Sequence, residues 1–155
     1  MLVGLVENVF QKGFLMGDNT EFRGVLEFTT DLTTKELSYL TQFLGADCRE
    51  HPEWPSPEGL TFIDLRLTKD FLGLEWNSDT EKTYGMVEAI NFIIARMKTI
   101  MPNFGLKGEM FAQGEEFGDI WKIVFKDGVA KKVNIPLEDE EIKCPFCKRK
   151  FKKDQ

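Results

Sequence analysis

Thr61-Phe62-Ile63-Asp64-Leu65-Arg66-Leu67-Thr68-Lys69-Asp70-Phe71-Leu72-Gly73-Leu74-Glu75-Trp76 is the stretch on which the fold class turns. Ile63, Leu65 and Leu67 alternate with Asp64 and Arg66, the period of a strand with one face buried, and only Phe62 breaks the pattern. Phe71 to Trp76 repeats the strand signal, and Lys69-Asp70 between the two runs predicts a hairpin. A helix pattern follows directly. Ser78 and Glu81 have capping-box spacing, Met86, Val87, Ile90, Ile93, Ile94, Met97 and Met101 mark one long apolar face, and Pro102 ends it.

The same pattern of strand and capped helix appears on both sides of this stretch. Glu21 to Thr30 carries Phe22, Val25, Leu26 and Phe28, a strand signal that ends at Thr29-Thr30. Thr33 and Glu36 form another capping box, and Leu37, Leu40 and Leu44, widened by Phe43, give a helix that Gly45 should stop. Asp47 to Gly59 contains Pro52, Pro55 and Pro57 and reads as an extended loop. Downstream, strands are predicted near Gly105–Ala112, Asp119–Lys126 and Val129–Ile135, with Lys126-Asp127-Gly128 as a tight turn between the last two.

The order strand–helix–strand–strand–helix–strand, with an added C-terminal β-hairpin, predicts an α+β fold of ferredoxin-like type, both helices covering one face of an antiparallel sheet. Residues 1–135 are the expected domain. Residues 1–20 would add an edge strand or a loop, an alternative left open by the sequence. Residues 136–155 read as a charged linker and a short basic tail with a CxxC pair.

Charge divides the chain in the same place. The net charge is −6. From Lys143 to Gln155 six basic residues face one acid, leaving 14 basic against 25 acidic in residues 1–142, a balance of −11. Such a body repels nucleic acid, which is expected to touch the tail alone, and it suits a partner with a basic surface. No run approaches the roughly 20 apolar residues of a membrane span. Met1 to Glu7 lacks the basic start and apolar run of a secretion signal. Three cysteines argue against a disulfide framework, so the cytoplasm is the expected compartment.

The segment Gly108-Glu109-Met110-Phe111-Ala112-Gln113-Gly114-Glu115-Glu116-Phe117-Gly118-Asp119-Ile120-Trp121, continuing to Lys126-Asp127-Gly128, resembles a recurrent element of small uncharacterised proteins from phages, plasmids and Gram-positive genomes. In these an Ala-Gln-Gly-Glu turn leads into an Asp-x-Trp strand and a hairpin. The resemblance covers residues 20–135 in layout and residues 108–128 in motif. It implies a related fold and a mobile-element origin, which would place the protein in the host cytoplasm, and it carries no activity.

Two residue sets could bear chemistry. Cys144-Pro145-Phe146-Cys147 is a two-cysteine knuckle, and the remaining cysteine and sole histidine stand at the same spacing in Cys48-Arg49-Glu50-His51. Together Cys48, His51, Cys144 and Cys147 make a Cys₃His set for a structural zinc, with no open coordination position for a reacting water. Glu115, Glu116 and Asp119 lie on a glycine-rich turn just before Trp121 and offer a ligand or partner surface, or oxygen ligands for a divalent-metal hydrolase. The bland alternative is a tight turn with solvated acids and a core tryptophan. With His51 as the only histidine and no nucleophile elbow or phosphate loop, no catalytic residue is assigned. The expected function is non-enzymatic binding, as an acidic inhibitor of a host defence or nucleic-acid-processing protein. The alternatives are a nucleotide binder stacking on Trp54, Trp76 or Trp121, and the hydrolase.

Overall fold

The structure, a computed structural model, describes residues 20–80, 83–116, 118–135, 141–143 and 150–152. The elements are β1 (Glu21–Arg23), β2 (Leu26–Phe28), α1 (Thr34–Thr41), a 3-10 turn (Cys48–Glu50), β3 (Leu65–Leu67) and β4 (Gly73–Trp76). They continue with α2 (Met86–Lys98), β5 (Leu106–Lys107), β6 (Met110–Gln113), β7 (Ile120–Lys126), β8 (Val129–Asn134), β9 (Glu141–Lys143) and β10 (Lys150–Lys152).

The described residues form a mixed α+β structure with two antiparallel four-stranded sheets, in orders β1-β6-β7-β8 and β3-β4-β2-β5. One sheet was expected from the sequence, and two are present because the strand at residues 21–28 bends. Its halves, β1 and β2, both pair with the β5–β6 segment in one unbroken register, from Glu21 opposite Gln113 to Phe28 opposite Leu106. The pairing lapses where Gly24 (φ 120°) and Gly108 (φ 110°) sit on the facing strands. A Cβ on Gly24 would lie 2.4 Å from the Glu109 carbonyl oxygen, and one on Gly108 would lie 2.7 Å from that of Val25. Only glycine permits both that backbone angle and that approach, so the strand pair folds over at this point and feeds one half into each sheet.

Helix α1 begins as its capping box requires. The Thr33 hydroxyl accepts from the Glu36 N–H at 3.2 Å, and the Glu36 carboxylate accepts from the Thr33 N–H at 2.9 Å. Helix α2 begins at Met86, later than the Ser78 box predicts, with Gly85 at its N-cap and no side-chain cap. The Asn77 side chain instead accepts the Asp79 N–H at 3.1 Å in a local turn, the competing use to which such residues are prone. Glu81 lies outside the described residues. From α2, Met86, Ala89, Ile90, Phe92, Ile93, Ile94 and Met97 are buried. They join Leu26, Phe43, Ile63, Leu74, Met110 and Ile123 in one core shared by both sheets.

Asn91 ties α2 to the edge strand β8. Its amide donates to the Ala130 carbonyl at 3.1 Å, and its side-chain oxygen accepts the Ala130 N–H at 2.8 Å. The turn before β8 has Asp127 and Gly128 at φ 56° and 82°, the geometry expected for an Asp-Gly hairpin. In the tail, β9 and β10 pair antiparallel, with Lys143 opposite Lys150.

Candidate binding pocket around Asp64

Three segments that are separate in sequence converge beside the start of β3. Residues 45–48 run against residues 61–63: Gly45 N–H donates to Ile63 O (2.7 Å), Ile63 N–H to Ala46 O (3.1 Å) and Cys48 N–H to Thr61 O (2.7 Å). On the other side, Asn77 N–H donates to Asp64 O at 3.0 Å, extending the β3–β4 pairing by one step. Thr80 and Tyr84 close the remaining side. These segments enclose a cleft of about 560 Å³ lined by Thr61, Phe62, Asp64, Asn77, Thr80 and Tyr84, with Gly45 at its margin. That size lies within the range of small-ligand sites.

Asp64 is the chemically unusual group. It is 5% exposed, and it is the sole buried acid among the described residues. Strand alternation places it on the outward face with Arg66, yet the loop after Asn77 covers it. Its carboxyl accepts from the Thr83 side chain, which lowers its pKa, but burial is the larger effect and raises it above the usual carboxylate range. The Thr83 hydroxyl is a hub. It accepts from the Trp76 indole N–H at 2.9 Å and lies 3.2 Å from the Thr80 hydroxyl. The lip is aromatic and wet, with Phe62 44% and Tyr84 50% exposed. Phe62 already carries a cation on its ring, the Arg49 guanidinium 5.5 Å from the centroid. Asp47 holds that guanidinium through Nε at 3.0 Å and Nη2 at 2.8 Å.

The described residues among those singled out in the sequence do not line this cleft. Cys48 is buried in the core, and burial pushes its thiol up, opposing the thiolate that a metal needs. The His51 ring stacks on Trp54 at 3.9 Å, with Nδ1 3.6 Å from a Glu53 oxygen. Cys144 and Cys147 lie outside the described residues, among which no group of three or more His, Cys, Asp or Glu could hold a metal ion. Glu115, Glu116 and Asp119 are exposed on the β6–β7 turn. That turn is closed by Gly114 N–H to Asp119 O at 2.8 Å and Asp119 N–H to Glu116 O at 3.0 Å. Trp121 is half-buried, edge-on to Phe22 at 5.8 Å, with the Lys132 ammonium 4.5 Å from its ring centroid. Trp54 is enclosed by Phe43 and Phe92 as well as by His51, and Trp76 packs against Phe22.

Sequence reasoning passed over Asp64 because its alternation looked ordinary. The available signal was Phe62, the one residue that broke the strand pattern and now stands at the pocket lip. Comparison of the chain with family models, curated proteins and solved structures finds no match. Among the described residues no helix is long and apolar enough to cross a membrane.

Proposed function

We propose that this protein acts by binding, as an acidic interaction protein whose partner presents a basic surface. The observation that carries the reading is electrostatic. Residues 1–142 hold a balance of −11, and Glu50, Glu53, Glu58, Asp79, Glu88, Glu115, Glu116 and Asp119 all stand exposed. A field of that sign speeds encounter with a basic surface and disfavours anions. Resemblance of residues 108–128 to small phage and plasmid proteins supports a mobile-element origin and action in the host cytoplasm, and the acidic body supports inhibition of a host defence or nucleic-acid-processing protein as the role.

Capture of basic proteins from host lysate should be strong at low salt and fall steeply above about 0.1 M, where exposed charges are screened within about 10 Å. Capture that is indifferent to salt overturns the electrostatic reading. The ferredoxin-like arrangement belongs to the same proposal. Its support is the order β3-β4-β2-β5, with one helix leading out of β2 and another out of β4. A structural zinc on Cys48, His51, Cys144 and Cys147 is likewise proposed, from the two ligand-spaced pairs and from β9–β10 pairing, which brings the chain on either side of the Cys144–Cys147 knuckle together; it requires the ion to displace the proton that burial favours on the Cys48 thiol.

A further inference from the structure

We propose that the Asp64 pocket receives an organic cation, the ammonium or guanidinium end of a Lys or Arg side chain on the partner. The proposal deepens the binding reading above and rests on it for the basic partner. Three observations point to that chemistry. Asp64 lines the cleft yet is 5% exposed, and among the described residues the side chain hydrogen-bonded to its carboxyl is that of Thr83. An anion would be repelled there, and a neutral ligand would displace water without compensating the charge. A cation relieves the cost of keeping a carboxylate away from solvent.

The lip supplies the second requirement. Phe62 and Tyr84 are large aromatic groups left exposed beside a buried acid, and ring faces attract ammonium and guanidinium ions. Phe62 does so within this chain, through Arg49. Third, the cleft lies on a surface that concentrates cations. Asp79 and Glu88 stand exposed on the loop and helix beside it, and Glu88 Oε1 comes within 3.4 Å of where a Gly85 Cβ would lie. Asn77, Thr80 and Thr61 provide polar groups to orient the N–H donors of the incoming group.

The test is an amide NMR titration of the full chain with n-butylammonium, n-butylguanidinium and neutral 1-butanol. Both cations should give saturable shifts that cluster at Thr61, Phe62, Asn77 and Thr80, while 1-butanol should not. Asp64→Asn should weaken binding about tenfold, the loss expected when a charge-assisted partner is removed. Tyr84→Ala, at a position 50% exposed, should weaken it severalfold and decides the matter if Asp64→Asn fails to fold. Shifts spread over the whole acidic surface, or equal binding by wild type and Tyr84→Ala, overturn the pocket. Deca-lysine separates this from the broader reading. Salt-sensitive peptide binding that Tyr84→Ala leaves unchanged overturns the pocket while the basic partner stands. Binding of the small cations without deca-lysine binding overturns the protein source and leaves the cation site.

Discussion

Replacing Gly24 with alanine tests the bend that divides the sheet. Two penalties act at this position and can be measured apart. Gly59, at φ 90° with no atom within 4 Å of a built Cβ, isolates the backbone-angle cost, about 1–2 kcal/mol for an L-residue in a left-handed conformation. Gly73, whose φ is ordinary, isolates steric approach, since its Cβ would lie 2.5 Å from the Leu26 carbonyl oxygen. Forcing β2 and β4 apart there should cost about 1–3 kcal/mol. Gly24 combines both, with φ 120° and a Cβ 2.4 Å from the Glu109 oxygen. Gly24→Ala should therefore destabilise by about 3 kcal/mol, which lowers Tm by roughly 6–12 °C in a chain of this size. Urea and thermal unfolding followed by circular dichroism measure all three variants. If Gly24→Ala costs no more than Gly59→Ala, the strands can part freely at this point, and close approach does not hold the bend.

Asp64→Asn should stabilise the protein by about 1 kcal/mol near neutral pH, because it removes a charge that burial disfavours. Burial raises the folded-state pKa of Asp64 above the unfolded value, so its contribution to stability is full below the unfolded pKa and lost as pH rises through the folded one. The gap between variant and wild type in urea should thus narrow on acidification, and a pH-independent gap would refute the assignment. Asn91→Ala removes two hydrogen bonds and leaves the N–H and C=O of Ala130, a residue 4% exposed, without those partners. It should cost about 2–3 kcal/mol in urea unfolding, and a loss below about 0.5 kcal/mol would mean that water replaces the amide. For the proposed zinc, elemental analysis of protein purified without added metal should give one zinc per chain, lost in both Cys144→Ser and His51→Ala. Zinc lost in Cys144→Ser alone would point to a site between two tails, and no zinc would remove the proposal.

Features that depend on a few neighbouring residues were legible in the sequence. The Thr33–Glu36 capping box, the buried Leu40 face of α1, the Asp127-Gly128 hairpin and the apolar stripe of α2 form as their local patterns require, and the Lys69-Asp70 hairpin forms with a longer turn, Phe71 at φ 62° and β4 starting only at Gly73. In each the donors, acceptors or apolar side chains lie within a few turns or one hairpin, so sequence spacing determines whether they meet. The start of α2 is an intermediate case. Ser78 and Glu81 have capping-box spacing, but the helix starts at Met86, Asn77 accepts the Asp79 N–H, and Thr83 is bonded to Trp76 and Asp64.

The division of the sheet and the pocket were decided by tertiary structure. Residue pattern alone specified an acidic α+β chain with paired strands and, among the described residues, the two helices α1 and α2. Nothing near Gly24 in the sequence shows that Glu109 will lie against it, and nothing near Asp64 shows that Thr83 will bond a residue whose alternation points outward or that Tyr84 will line the same cleft. Those contacts join segments far apart along the chain. Burial of an acid and bending of a strand are set by what packs across them, and only the folded chain specifies that.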